Sequence, residues 1–260
     1  MKVLAIGDVV GSIGCKFLRA RLPALKQEYG IDLVIANGEN AADGNGITPA
    51  AAEHLFTSGV DVITTGNHAF RRREVYPLFD EAEGLLRPAN YPAGTPGKGV
   101  CMVDKGRLQV AVVNVMGVVY MEPLACPFVT MERILQQRLP KIVIVDLHAE
   151  ATGEKGGFAY AFDGKVSAIF GTHTHVQTAD AQILPQGTGF LKDVGMVGPC
   201  RSVLGVKPEL VIKRMRGKLT VRFDLASGAC HLDGVVFEID EKNGKTTAVT
   251  PIHIVQEDLR

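Results

Sequence analysis

The chain has no Cys-x-x-Cys pair. Its five cysteines, Cys15, Cys101, Cys126, Cys200 and Cys230, are odd in number and widely spaced. That argues against a thiolate zinc site or redox pair and fits free thiols in a reducing compartment. Neither sign of charge is in excess, with 28 Lys+Arg against 28 Asp+Glu. A protein built to coat nucleic acid would be basic, so that class is set aside. No run approaches the ~20 apolar residues that span a bilayer. The apolar start, Val3 to Ile6, is far too short for the core of a signal peptide, and Asp8 follows it. The cytoplasm is the expected location, with no membrane partner. There is no Gly-x-x-x-x-Gly-Lys-Ser/Thr loop, which excludes a nucleoside-triphosphate motor. Linkers, internal repeats and low-complexity segments are also missing. The expectation is one domain over residues 1–260, with residues 70–99, rich in Arg, Pro and Gly, as a small cap or long loop over a site. With 46% hydrophobic residues, a chain of this size buries about three quarters of its unfolded surface and needs no disulfides.

What is present is a series of short apolar runs, each ending in a polar or glycine-rich turn. Val3 to Ile6 ends at Gly7-Asp8, and Leu33 to Ala36 at Asn37-Gly38-Glu39-Asn40. Val60 to Thr65 ends at Gly66-Asn67-His68, and Val110 to Val115 at Met116-Gly117. Ile142 to Asp146 ends at Leu147-His148, and Val166 to Phe170 at Gly171-Thr172-His173-Thr174-His175. Such continuous runs predict strands buried on both faces. Helical patterns at Cys15 to Gln27, Pro49 to Ser58 and Val129 to Arg138 lie between them; Thr48-Pro49 reads as an N-cap followed by Pro at the first helical position. Strand–helix alternation predicts an α/β fold with right-handed crossovers. After about residue 180, Gln182 to Leu184, Gly189 to Leu191, Leu219 to Leu225 and Gly234 to Ile239 predict a second, more antiparallel sheet.

The strand ends hold Asp8, Glu39, Asn40, Asn67, His68, His148, His173 and His175. In open α/β sheets, ligands bind beyond the carboxyl ends of the strands. Taken singly, a carboxylate there often caps a helix, and Asn in Asn-Gly or Gly-Asn often serves a turn. His54, His231 and His253 end no strand and are read as structural. Five strand ends carrying such groups together point to a metal site. Residues i and i+2 of an extended segment share a face, so His173 and His175 are expected to face one metal pocket or serve one metal each. A mixed nitrogen–oxygen set of about seven groups is too many for one four-coordinate zinc and suits two metals sharing a carboxylate, for which Glu39 is the natural bridge. Two metals roughly 3.5–4 Å apart clamp the attacking and leaving oxygens of an in-line displacement at phosphorus and activate water as hydroxide. His68, beside Asn67, is a candidate for protonating the leaving alkoxide or for binding a phosphate oxygen. Arg71-Arg72-Arg73 is read either as an attractor of anions or as a solvated charge run. Asp193 is read as support for a ligand or as a turn residue, and Asn114 as a pocket-lining candidate.

The ordered set Gly-Asp8, Gly-Glu39-Asn40, Gly-Asn67-His68, His148 and Gly-Thr-His173-Thr-His175 resembles the calcineurin-like metallophosphoesterase superfamily. That superfamily has Asp-x-His first, where this chain has Val10, and a bridging Asp where it has Glu39. Both departures, with Gly-Asp-Val-Val-Gly, Asn-Gly-Glu-Asn-Ala-Ala, Thr-Gly-Asn-His and Asp193 to Pro199, resemble the YmdB-like family of 2′,3′-cyclic-nucleotide 2′-phosphodiesterases over essentially the full length. The resemblance implies a two-sheet α/β sandwich with flanking helices. It implies one metal held by Asp8, Glu39, Asn40 and His175, with Asn40 compensating for the missing His at position 10. It implies a second metal held by Glu39, Asn67, His148 and His173, with His68 as proton donor. Iron is the implied metal, with manganese or zinc as replacements. The implied substrate is a small phosphodiester or nucleotide. The alternatives are a phosphomonoesterase or RNA nuclease on the same scaffold, or a regulatory metal-binding protein with vestigial catalysis. A symmetric homo-oligomer is the default expectation.

Overall fold

Side-chain alternation along the strands sorts the apolar residues into three cores. The computed structural model describes residues 1–256. One sheet contains β1 (Lys2–Ile6), β2 (Asp8–Val9), β3 (Leu33–Asn37) and β4 (Val62–Thr64). The other begins with β5 (Val100–Asp104), β6 (Gln109–Met116), β7 (Ile142–His148) and β8 (Ala168–Thr172), then adds β9 (Gln182–Ile183) and β10 (Gly189–Leu191). The chain then returns to the first sheet with β11 (Met196–Pro199), β12 (Cys230–Ile239) and β13 (Thr246–Val255). The first sheet runs β2-β11-β12-β1-β3-β4, with β13 paired to β12; the second runs β5-β6-β7-β8-β10-β9. Both are mixed: β1, β3 and β4 are parallel while β12 is antiparallel to β1, and β6, β7, β8 and β10 are parallel while β5 and β9 pair antiparallel at the edges.

Val3, Ala5, Leu33, Ile35 and Val62 of the first sheet meet Val110, Val112, Ile142, Ile144, Ala168 and Phe170 of the second. The alternate residues Leu4, Ile6, Val34, Ala36 and Ile63 face outward under α1 (Gly11–Tyr29) and α2 (Pro49–Thr57). On the far side, Val113, Val115, Val145 and Leu147 lie under α4 (Pro127–Leu135) and α5 (Thr152–Ala161). Leu18, Leu22 and Leu25 are the buried face of α1, each burial contributing roughly 1.5–3 kcal/mol. Thr48 caps α2, its hydroxyl accepting the Ala51 N–H at 3.2 Å, as its sequence predicts.

The predicted α/β architecture of two sheets with flanking helices is the one observed. The division into sheets differs from the sequence reading. The boundary does not fall near residue 180: β5 to β8 already belong to the second sheet, and the later strands divide between both. The reason is that each sheet closes with strands from the C-terminal third, and long-range pairing leaves no local signature. Leu219 to Leu225 is not a strand; it follows α6 (Pro208–Gly217) as irregular chain touching Val206 through one bridge at Leu225. Residues 70–99 carry a short 3-10 turn and α3 (Tyr76–Glu81), with Val75, Phe79, Leu85 and Leu86 buried. Cys15, Cys101, Cys126 and Cys230 are free thiols, all but Cys126 buried.

Candidate active site

The face between the sheets changes from apolar to polar toward the carboxyl ends of the strands. Ile142 and Ile144 are succeeded on the same face of β7 by Asp146 and His148; Phe170 of β8 is succeeded by Thr172; Leu33 and Ile35 of β3 are succeeded by Asn37. Beyond these ends the loops carry Glu39, Asn40, Asn67, His68, His173 and His175, and β2 brings Asp8 alongside.

The structure brings together all the strand-end residues singled out in the sequence, in two clusters that share Glu39. In one, His148 Nε2 lies 3.2 Å from Glu39 Oε1, 2.9 Å from Asn67 Oδ1 and 3.1 Å from His173 Nδ1. Atoms of Glu39, His148 and His173 lie within 4.8 Å of one another. In the other, His175 Nε2 lies 3.4 Å from Asp8 Oδ1, and Asn40 Nδ2 is 3.4 Å from Asp8 Oδ1, 3.4 Å from Glu39 Oε1 and 3.3 Å from His175 Nε2. An amide offers a cation its oxygen, so ligation by Asn40 requires its amide to turn over. His68 sits at the lip of this arrangement. Its backbone N–H donates to Glu39 Oε2 at 2.9 Å, and its Nδ1 is 2.7 Å from Asn40 Oδ1.

His173 and His175 do not reach the site as neighbours on one extended face. The strand ends at Thr172, and both histidines have left-handed backbone, with φ of 102° and 62°. Asp8 Oδ2 accepts the His173 N–H at 3.0 Å, and Asp193 Oδ2 accepts the Thr174 N–H at 3.1 Å. These two carboxylates impose a turn that costs about 1–3 kcal/mol per strained residue and gives each imidazole its own cluster.

Several buried groups hold the ring of His148. Its Nδ1 is 2.9 Å from Thr172 Oγ1, whose hydroxyl donates to Asp146 Oδ1 at 2.8 Å. That chain holds a proton on Nδ1 and turns Nε2 toward Glu39 and Asn67. The ring lies flat over Gly66, where any Cβ would overlap its atoms, so Gly-Asn-His needs its glycine for space. Lys155 braces the histidine turn from beneath: its ammonium donates to Thr172 O at 2.9 Å and to Asp193 Oδ2 at 2.7 Å, with both side chains 1% exposed. Asp193→Ala leaves this ammonium buried without a counter-charge. The expected cost is about 3–5 kcal/mol, read as a lower midpoint in urea denaturation.

Asp8 and Glu39 are buried carboxylates, and among the described residues no Lys or Arg pairs with either; their ionic partners are histidines. Burial opposes the charge of Asp8, but His175 and His148 outweigh it and hold the carboxyl well below its usual range. Burial likewise opposes ionisation of Glu39, and His148 and His68 overcome it. His148 is pushed up to about 9, because the charge of Glu39, followed by Asp8 and Asp146, outweighs burial. Burial and then His148 push His173 down to about 4, and burial lowers His68 against the pull of Glu39. Burial raises Asp146 to about 7. Two buried anions surrounded by imidazole nitrogens and amide oxygens form a chemical environment that calls for cations, and the donor set fits divalent transition metals.

The remaining sequence candidates separate. Asp193 combines both expected roles, accepting the Gly195 N–H at 2.9 Å as a turn residue and bracing the histidine loop. Asn114 is a brace, its Oδ1 accepting the Thr65 N–H at 3.0 Å. Arg72 binds the carbonyls of Asp43 and Asn45, at 2.7 and 3.0 Å. His54, His231 and His253 lie elsewhere, on Cys15 O and on Asp233. Sequence reasoning missed Asp146, although its i, i+2 spacing to His148 was a usable signal. It also missed Glu150, 3.1 Å from His173 Nε2, and the buried Lys155. The outer wall was missed too: Leu204, Val206, Arg214, Phe223 and Leu225 close a cleft of about 450 Å³ over Glu39, His68 and His175.

Two facing mixed sheets, helices outside and polar residues gathered at the strand ends define the metallophosphoesterase type of α/β fold. The chain belongs to the YmdB-like proteins, whose family profile matches residues 4–252. It is 43% identical over 261 residues to the 2′,3′-cyclic-nucleotide 2′-phosphodiesterase of Bacillus subtilis, covering 100% of this chain and 99% of that one. A hypothetical protein of Thermus thermophilus superposes with a TM-score of 0.94 at 40% identity, covering 99% of this chain and 100% of the other. A structure described as a novel phosphatase, from Mycoplasma pneumoniae, superposes with a TM-score of 0.93 at 35% identity, covering 100% and 95%.

Proposed function

We propose that this chain is a metal-dependent hydrolase of phosphodiesters that opens 2′,3′-cyclic nucleotides with two cations. The observation that carries the reading is one buried carboxylate, Glu39, common to two clusters of nitrogen and oxygen atoms, with His68 at their lip. The name of the Bacillus subtilis relative supports the substrate class. In this reading Asp8, Glu39, Asn40 and His175 hold one cation, and Glu39, Asn67, His148 and His173 the other; iron is the proposed metal, with manganese or zinc as substitutes. Such cations, when bound, neutralise charge at phosphorus and lower the pKa of water. Both sheets contribute to this one site, so we read the chain as a single domain. No helix among the described residues is long and apolar enough to cross a membrane.

The chain's own residues then divide the work. His68 Nδ1 is held 2.7 Å from the Asn40 amide, which leaves Nε2 as the nitrogen that carries the exchangeable proton. A water oxygen forms a new bond to phosphorus as the P–O2′ bond breaks. The departing O2′ takes its proton from His68 Nε2, and the water's proton restores the imidazole; the product is a 3′-phosphate. Burial lowers the His68 pKa, and a bound phosphodiester anion raises it again toward the working range.

The test is a substrate panel on anaerobically purified, metal-analysed protein. The expected result is about two transition-metal ions per chain and faster turnover of 2′,3′-cyclic AMP than of 3′-AMP or single-stranded RNA. Turnover of 3′-AMP alone would support the phosphomonoesterase alternative. Full metal occupancy with no turnover of any phosphate ester would leave a binding protein.

A further inference from the structure

We propose that the site is built for the end of an oligoribonucleotide, with a second phosphate held in an arginine-lined cleft next to the reacting one. The inference rests on the phosphodiesterase reading above. Beside the cleft over Glu39 and His68 lies a larger one of about 730 Å³, lined by Arg71, Arg72 and Arg222. The two share Gly44, Asn45, Phe223 and Leu225 as a common wall, so they lie side by side. Arg71 is tied to the catalytic loop by its backbone N–H, which donates to His68 O at 3.1 Å.

The arginines differ in what they are free to do. Arg72 is consumed by the carbonyls of Asp43 and Asn45 and shapes the loop. The exposed Arg71 and Arg222 make no side-chain hydrogen bond or ion pair among the described residues. Two carboxylates also line the cleft, but Asp43 accepts the N–H and hydroxyl of Ser12, and Asp224 lies 3.9 Å from Lys207. Two unengaged guanidinium groups are therefore available to a phosphate, for which their forked geometry is suited. Between the two phosphate positions stands Phe223, half-buried, with the Arg214 guanidinium 5.1 Å from its ring centre. An aromatic ring in that place is a stacking platform for a base. Along a strand two phosphates flank a sugar whose base branches off beside them, and a ring on the wall between the reacting site and the cationic cleft suits that base. The zero net charge of the chain agrees with a local site for one terminus and not with coating of long nucleic acid.

The experiment compares 2′,3′-cyclic AMP with the dinucleotide ApA ending in a 2′,3′-cyclic phosphate, on the metal-loaded enzyme. The expected kcat/KM is about tenfold higher for the dinucleotide, and its fall with salt is steeper by about 0.7 in a log–log plot, the value for one added single-strand phosphate contact. Arg222→Gln and Arg71→Gln bring the ratio of the two kcat/KM values toward one, and Arg222→Lys restores part of it. A wild-type ratio of one or less, or a ratio that neither substitution changes, overturns the proposal. Binding of the dinucleoside phosphate ApA against adenosine reads the same subsite without turnover. An Arg222-dependent advantage for ApA in a protein that hydrolyses nothing would sink the hydrolase reading and keep the subsite. Normal turnover with no such advantage would do the reverse.

Discussion

Glu39→Gln is expected, on the two-cation reading proposed above, to abolish binding of both cations and reduce hydrolysis by about 10³-fold or more, since several kcal/mol of charge stabilisation at phosphorus goes with them. The substitution keeps the shape of the side chain. An amide oxygen still accepts the His68 N–H that Glu39 Oε2 now accepts at 2.9 Å, so the loop is retained. What is lost is the one negative charge that both clusters have in common. Metal analysis after dialysis, with circular dichroism to verify the fold, checks the prediction. Retention of two ions per chain and full activity by Glu39→Gln would end the shared-carboxylate account. Asp8→Asn serves as the comparison, because Asp8 belongs to one cluster only: its contacts are His175, Asn40 and the His173 N–H. It should cost one ion, not two.

His68→Ala is expected to retain both ions and lower kcat on 2′,3′-cyclic AMP by about 10²- to 10⁴-fold, the usual contribution of a positioned general acid. The two roles open to His68 separate by leaving group. If it donates a proton, the loss should be large for a ribose alkoxide and small for bis-p-nitrophenyl phosphate, whose leaving group needs no proton. If it only binds a phosphate oxygen, both substrates should suffer alike. Equal losses would remove the proton-donor assignment and keep His68 in the site.

The site was far more legible in the sequence than the sheets were. A buried parallel strand announces its own carboxyl end, where an apolar run stops at a polar turn. Asp8, Glu39, Asn67, His148 and His173 could therefore be placed at one edge before any pairing was known. The pairing itself was not local. β10 joins β8, whereas β11, which follows it closely, lies on β12 in the other sheet, a choice made by contacts distant along the chain. Leu219 to Leu225 has the alternation of a strand, but two of its apolar residues, Phe223 and Leu225, stand on the wall of the active cleft, and Leu219 is exposed. His173 and His175 were expected to share an extended face. Their left-handed turn depends on Asp8 and Asp193, whose carboxylates arrive from residues far away in sequence. Lys155 was invisible for a related reason: a lysine in an amphipathic helix reads as solvated until its buried partner, Asp193, is known.

The clusters around Glu39 are assembled from two separate layers. Asp8, Glu39, Asn40, Asn67 and His68 ride on the ends of one sheet, and His148, His173 and His175 on the ends of the other. Ion binding there would act as a clasp across the seam between them. The spacing of that seam is set by Ile35, Phe170 and Phe237, which touch no part of the chemistry. A protein so arranged can lose its activity by a small slip of one layer over the other, well before either layer comes apart. Trimming a side chain in the seam should therefore weaken the hold on metal at temperatures where the chain is still fully folded.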